Sequence, residues 1–73
     1  MPQETIEVPI TGKIISVNVK VGDQVQEGDT ICLLESMKME NPILAPVGGT
    51  ITKLEVTPDK TVKPGDIVAV IEY

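Results

Sequence analysis

The one stretch of this chain whose residue types suggest chemistry is Glu35-Ser36-Met37-Lys38-Met39-Glu40, where a single lysine stands between two methionines. The chain has no histidine and one cysteine, so it can assemble neither a Cys–His nucleophile pair nor a thiolate zinc cluster. That cysteine, Cys32, lies in an apolar run and reads as core filler. No residue is read as catalytic or as a metal ligand. Lys38 admits three readings. A solvated surface lysine is the commonest fate of the residue. A catalytic lysine needs its pKa lowered by burial or by a nearby cation, and the carboxylates of Glu35 and Glu40 favour the charged amine instead. An attachment point needs only an exposed amine with the ordinary lysine pKa of about 10.4, because a partner enzyme supplies the base and the activated acyl group. Met37 and Met39 then either cap the core or offer apolar contacts to a partner.

The elements that must position Lys38 follow from an internal repeat. Pro9 matches Pro46, Gly12 matches Gly49, Val25 matches Val62, Gly28 matches Gly65, Asp29 matches Asp66 and Glu35 matches Glu72, each pair 37 residues apart with no gap. Duplicated sequence implies duplicated structure, hence a pseudo-two-fold domain. Lys38 lies just past the end of the first copy, where the chain must turn back. Val, Ile and Thr supply 26 of the 73 residues, which favours strands over helices. Candidate strands lie near Ile6–Ile10, Lys13–Lys20, Thr30–Met37, Met39–Leu44, Thr50–Val56 and Ile67–Glu72, with Val25 and Val62 in short bridging pieces. Gly22-Asp23, Gly28-Asp29, Gly48-Gly49, Pro58-Asp59 and Pro64-Gly65-Asp66 read as the turns between them.

By the offset, Ile67–Glu72 copies Thr30–Glu35, and Pro2–Glu7 copies Met39–Leu44. The last and first strands should therefore pair as the central hairpin does, but without its loop. Both termini then fall at the position symmetric with Lys38, at the opposite end of the domain. The central turn itself is chemically odd. Tight two-residue hairpins favour Asn-Gly, Asp-Gly or Gly-X, yet Glu35 to Glu40 holds no Gly, Asn, Asp or Pro. Either Met37-Lys38 is forced into the turn, or the strand continues to a turn at Asn41-Pro42; the residues alone leave both open.

Composition narrows the partners. The length allows one domain, 1–73, with a small core. All six basic residues are lysine and eleven are acidic, a net charge of −5 that disfavours nucleic acid and anionic membrane surfaces. No apolar run is long enough to cross a bilayer and no signal-peptide pattern opens the chain. The lone cysteine points to a reducing compartment, the cytoplasm or an organelle matrix.

Glu35-Ser36-Met37-Lys38-Met39 resembles Glu-Ala-Met-Lys-Met, the biotin-attachment motif of the biotinyl/lipoyl attachment domain family. Val8-Pro9-Ile10-Thr11-Gly12 resembles the family's opening Ala-Pro-Met-x-Gly element. Val21-Gly22-Asp23-Gln24-Val25 with Gly28-Asp29, and Ala45-Pro46-Val47-Gly48-Gly49 after the lysine, resemble two further family elements. The likeness covers roughly residues 6–72, with Ser36 for Ala as its main departure inside the motif. It implies an all-β barrel-sandwich hybrid, a flattened barrel of two four-stranded antiparallel sheets, with the lysine in a tight hairpin turn at its tip. That favours the Met37-Lys38 turn. The gapless repeat leaves no place for the inserted thumb of many bacterial acetyl-CoA carboxylase carriers, so the chain looks like the thumbless biotin carboxyl carrier domains. The resemblance implies covalent biotin on Lys38, added by a biotin protein ligase that reads Glu35, Ser36, Met37, Met39 and Glu40. It further implies a non-catalytic carrier of carboxyl groups between biotin carboxylase and carboxyltransferase sites. A lipoyl carrier is the alternative within the family, but there the lysine is typically flanked as Asp-Lys-Ala.

Overall fold

Side chains branched at Cβ pack well on a pleated surface, and the segments richest in them form the strands. The computed structural model describes residues 1–73, with eight strands and no helix. They are β1 (Gln3–Glu7), β2 (Gly12–Val17), β3 (Gln24–Val25), β4 (Thr30–Ser36), β5 (Met39–Leu44), β6 (Gly49–Leu54), β7 (Thr61–Val62) and β8 (Ile67–Glu72). They form two four-stranded sheets, ordered β1-β8-β6-β3 and β5-β4-β2-β7, in which every neighbouring pair is antiparallel. Adding 37 to the residue numbers turns β2, β3 and β4 into β6, β7 and β8, and β1 into β5, so the second order is the first one repeated. The pseudo-two-fold reading of the sequence holds strand by strand.

The repeat extends to the irregularities. In the β2–β4 pair the register shifts between Ile14 and Ser16, leaving Ile15 as an extra residue, and in β6–β8 it shifts between Ile51 and Lys53, leaving Thr52. Ile31 and Val68 are the matching extra residues of β4–β5 and β1–β8. Bulges bend a strand and increase its twist. Four of them, placed in symmetric pairs, curl both sheets around one core.

That core is aliphatic. Ile6, Ile14, Ile31, Leu34, Ile43, Ile51, Val62, Val68 and Ile71 form its bulk, and no polar or charged side chain is buried. Each such side chain contributes roughly 1.5–3 kcal/mol on leaving water. With nothing polar inside, any chemistry must occur on the surface.

Four expected strands differ in their bounds; the smallest difference is in the expected Thr30–Met37, which ends at Ser36 because Met37 enters the turn. The first strand is Gln3–Glu7 and not Ile6–Ile10, as the repeat required, because Pro9 has no N–H to offer a ladder. The second ends at Val17 and not Lys20: the chain leaves the sheet and turns where the Lys20 N–H donates to the Asp23 carboxylate at 3.0 Å. The sixth ends at Leu54 and not Val56. Asp29 and Asp66 accept from Gln26 and Lys63 in the same way, at 2.8 and 3.0 Å, each just after a glycine at positive φ.

The body measures 36 × 18 × 17 Å, and its two ends are distinct. At one end the Tyr73 N–H donates to the Pro2 carbonyl at 2.9 Å, closing the terminal strands without a loop. From the other end, where Lys13 faces Glu35, β2 runs away from the central hairpin. The chain then passes into β3, which pairs with Thr50 and Gly49 beside Glu72. The termini therefore lie opposite the hairpin, as the repeat predicts.

Gly12 and Gly49 are the residues where this closure is tightest. A Cβ on Gly49 would collide with the Glu72 carbonyl oxygen and lie 2.7 Å from Ile71 Cγ2, and one on Gly12 would collide with the Glu35 carbonyl. Neither backbone can yield without opening the sheet. Gly49→Ala is therefore expected to destabilise the domain by about 1–3 kcal/mol. Urea denaturation checks this, and an unchanged midpoint would contradict the close approach.

Candidate functional site

Strands β4 and β5 form a hairpin whose register runs Leu34↔Asn41, Glu35↔Glu40 and Ser36↔Met39. That leaves two residues for the turn, Met37 and Lys38, both left-handed at φ 54° and 66°. Two consecutive positive φ values are the mark of a type I′ turn, whose twist matches the strands it joins. Neither residue favours this region, and each non-glycine residue held there costs on the order of 1 kcal/mol. The alternative turn at Asn41-Pro42 is not used. Those residues continue β5, an edge strand, where a proline costs no ladder bond.

The turn displays its side chains. Lys38 is exposed, Met37 is 92% and Met39 66% accessible, so the methionines cap no core. The only ion pair of the structure joins Lys13 to Asp59, at 3.7 Å, which leaves the Lys38 ammonium without a carboxylate partner. Behind the tip, Glu35 and Glu40 stand opposite each other, a like-charge pairing that sheets disfavour. Their equivalents at the other end are Glu72 and Gln3, which are also paired but repel less. Ser36, half-buried, closes the turn against Met39. The six residues singled out in the sequence are thus brought together.

Three further residues belong to this end. In an antiparallel pair, directly opposite residues share a face, so Lys13, Glu35 and Glu40 form one row across β2, β4 and β5. The adjacent row contains the buried Ile14 and Leu34, which places the charged row on the outer face. Lys13, Ile15 and Asp59 join Glu35 and Glu40 around a shallow cleft of about 240 Å³ floored by Ile14. A signal for it was present in the repeat: the counterparts of Lys13, Ile15 and Asp59 are Thr50, Thr52 and Gly22. The halves agree in their cores and part company here.

Cys32 is fully buried, and its burial pushes the thiol up from 9.0 to about 11. A thiol whose folded pKa exceeds its unfolded one contributes stability that is complete below the unfolded value and is lost as pH rises through the folded value. Urea stability is therefore expected to fall between pH 9.0 and about 11. The fall should be shallower in Cys32→Ala, a residue the core already accepts at Ala69; identical slopes in both proteins would contradict it.

Fold and site together define a barrel-sandwich hybrid whose one singular feature is a lysine displayed on a strained hairpin tip. A sequence profile of the family described as biotin-requiring enzyme matches residues 4–71. The biotinylated protein TB7.3 homolog of Mycobacterium leprae is 43% identical over 68 residues, which span 93% of this chain and 96% of that protein. Mouse mitochondrial pyruvate carboxylase is 42% identical over 67 residues, 92% of this chain but only 6% of the larger one. Among solved structures, the urea carboxylase of Kluyveromyces lactis superposes with a TM-score of 0.90 at 32% identity, covering 99% of this chain and 6% of that one. The chain belongs to the biotin-requiring enzyme family.

Proposed function

We propose that this chain, residues 1–73, is a biotin carboxyl carrier domain and that Lys38 carries the biotin. The observation that carries this reading is the Met37-Lys38 turn: the fold tolerates an unfavourable backbone to hold one free amine at the end of a rigid hairpin. A relative of nearly equal length that is by name biotinylated, and another that is by name a biotin carboxyl carrier protein, favour biotin over the lipoyl alternative.

The site fits such a group because a primary amine in open solvent can form an amide without clash or loss of a partner. A biotin protein ligase would present biotin with its carboxyl group activated, and the neutral Nζ of Lys38 would take up that acyl group as an amide, the activating group leaving and the amine giving up its proton. The charge at the tip is lost in the process. When bound, biotin supplies a ureido ring that takes up and releases a carboxyl group. Beyond forming that amide, the chain's own residues present the arm and take no part in the carboxyl transfer. Met37 and Met39 offer apolar surface to whichever protein grips the tip, and Glu35 and Glu40 add negative charge behind it. In this reading the partners are the ligase and the biotin carboxylase and carboxyltransferase sites of a larger assembly. The domain raises the effective concentration of the arm at both sites, and termini at the far end leave the tip free. The unpaired Cys32 accords with a reducing compartment, the cytoplasm or an organelle matrix.

Incubation with ligase, biotin and ATP tests this. Intact mass is expected to rise by one biotin, mapped to the peptide that contains Lys38. No gain in mass, or a gain only with a lipoyl ligase and lipoate, would sink the reading.

A further inference from the structure

The cleft beside the hairpin has no role in presenting a lysine, and the repeat shows that the fold does not require it. Its lining replaces two threonines and a glycine of the other half with Lys13, Ile15 and Asp59. We infer that this cleft is a docking site for the tethered bicyclic head of biotin, holding the arm against the outer face of the β5-β4-β2-β7 sheet between visits to partner sites. The inference rests on the reading of Lys38 as the biotinylated residue.

The chemistry is complementary. The head is a cyclic urea with two N–H donors and one carbonyl acceptor, fused to an apolar sulfur-containing ring. Glu35, Glu40 and Asp59 supply carboxylate acceptors, and Lys13 supplies a donor for the carbonyl. Ile15 is put on the surface by its bulge, 38% exposed, and offers the apolar wall. The Lys13–Asp59 pair is itself exposed, and such pairs rearrange at little cost.

Reach is sufficient. The row Lys13–Glu35–Glu40 lies one pair behind the Ser36↔Met39 pair that closes the turn, about 7 Å from the tip along the strands. The lysine stem and the valeryl chain of biotin are together longer than that. Docking is intramolecular at an effective concentration in the millimolar range, so a weak intrinsic affinity populates it while leaving the arm free to depart.

The test compares ¹⁵N-labelled domain before and after biotinylation, with intact mass first establishing that Lys38 is loaded. Loading failure counts against the attachment reading, whereas the spectra of a loaded domain bear on the cleft alone. The backbone amides of Lys13, Ile15 and Asp59 are expected to shift on loading, and biotin ring protons to show nuclear Overhauser contacts to the Ile15 methyls. In the double variant Lys13→Thr, Ile15→Thr, which writes the other half's surface into the cleft, the Asp59 shift should lose most of its size. Glu40→Gln, an isosteric change at an exposed position, should weaken it in the same sense if the double variant proves poorly folded. Shifts confined to Ser36–Glu40, or an Asp59 shift that survives these changes in full, would overturn the proposal.

Discussion

Lys38→Arg is expected to abolish biotin labelling completely while leaving the domain folded. The arginine keeps the positive charge, accepts the same exposed position and breaks no contact, because Lys38 has no ion pair. Its guanidinium stays protonated at any working pH and cannot take up an activated acyl group. No other lysine can take over. Lys13 lies mid-sheet and faces Asp59, Lys53 sits within β6, and Lys60 Nζ donates to the Glu55 carbonyl at 3.0 Å. Lys20 and Lys63 flank turns but stand between valines or beside Pro64, with no methionine near. Intact mass and a streptavidin blot read the outcome, and label surviving in a folded Arg variant would refute the assignment.

Exchanging Met37 with Lys38 is the second large effect. Composition and charge are unchanged, and both positions share the same left-handed backbone, so the turn should form equally well. The amine, however, leaves the chain from the other corner of the turn. Misplacing a reacting atom by an ångström or more can cost about 10²-fold, and a loss of labelling rate of at least that order is expected here. A peptide carrying only Glu35–Glu40 should also label poorly, since an isolated hairpin is marginally stable and would not hold a type I′ turn at Met-Lys. Met37→Leu and Met39→Leu retain size and apolarity and should retain most labelling. If the exchanged domain is folded by circular dichroism and labels at the normal rate, recognition of the lysine by its position at the tip is wrong.

These two outcomes separate what the sequence displays from what only the folded chain supplies. The offset of 37 carried the pairing of β1 with β8, the short bridging strands β3 and β7 and the far placement of the termini, because each follows from symmetry once the copies are aligned. It even placed the first strand better than the apolar run Ile6–Ile10 did. The bulges were not legible. In Ile14-Ile15 one isoleucine is fully buried and the next is exposed, and an unbroken alternation through Ile15, Val17 and Val19 points the wrong residue inward. The turn was ambiguous for a related reason: propensity opposes positive φ at Met37 and Lys38, and only pairing along the whole of β4 and β5 overrides it. Of the site, the motif was plain, whereas Lys13, Ile15 and Asp59 are remote from it in sequence and meet it only through strand register.

The bond from Tyr73 to Pro2 has a consequence for how this shape can be regarded. It stands where Ser36 and Met39 stand in the other half, so one residue inserted between Tyr73 and Met1 of a cyclised chain would complete a second two-residue tip. The closed ring would have no beginning, and its two poles would be interchangeable in backbone. Circular permutation could then open it at Met37-Lys38 and leave the lysine-bearing hairpin to be written at the other pole. In such a ring polarity would be a property of side chains laid over a body that has none, and one scaffold could be given a working tip at either pole or at both.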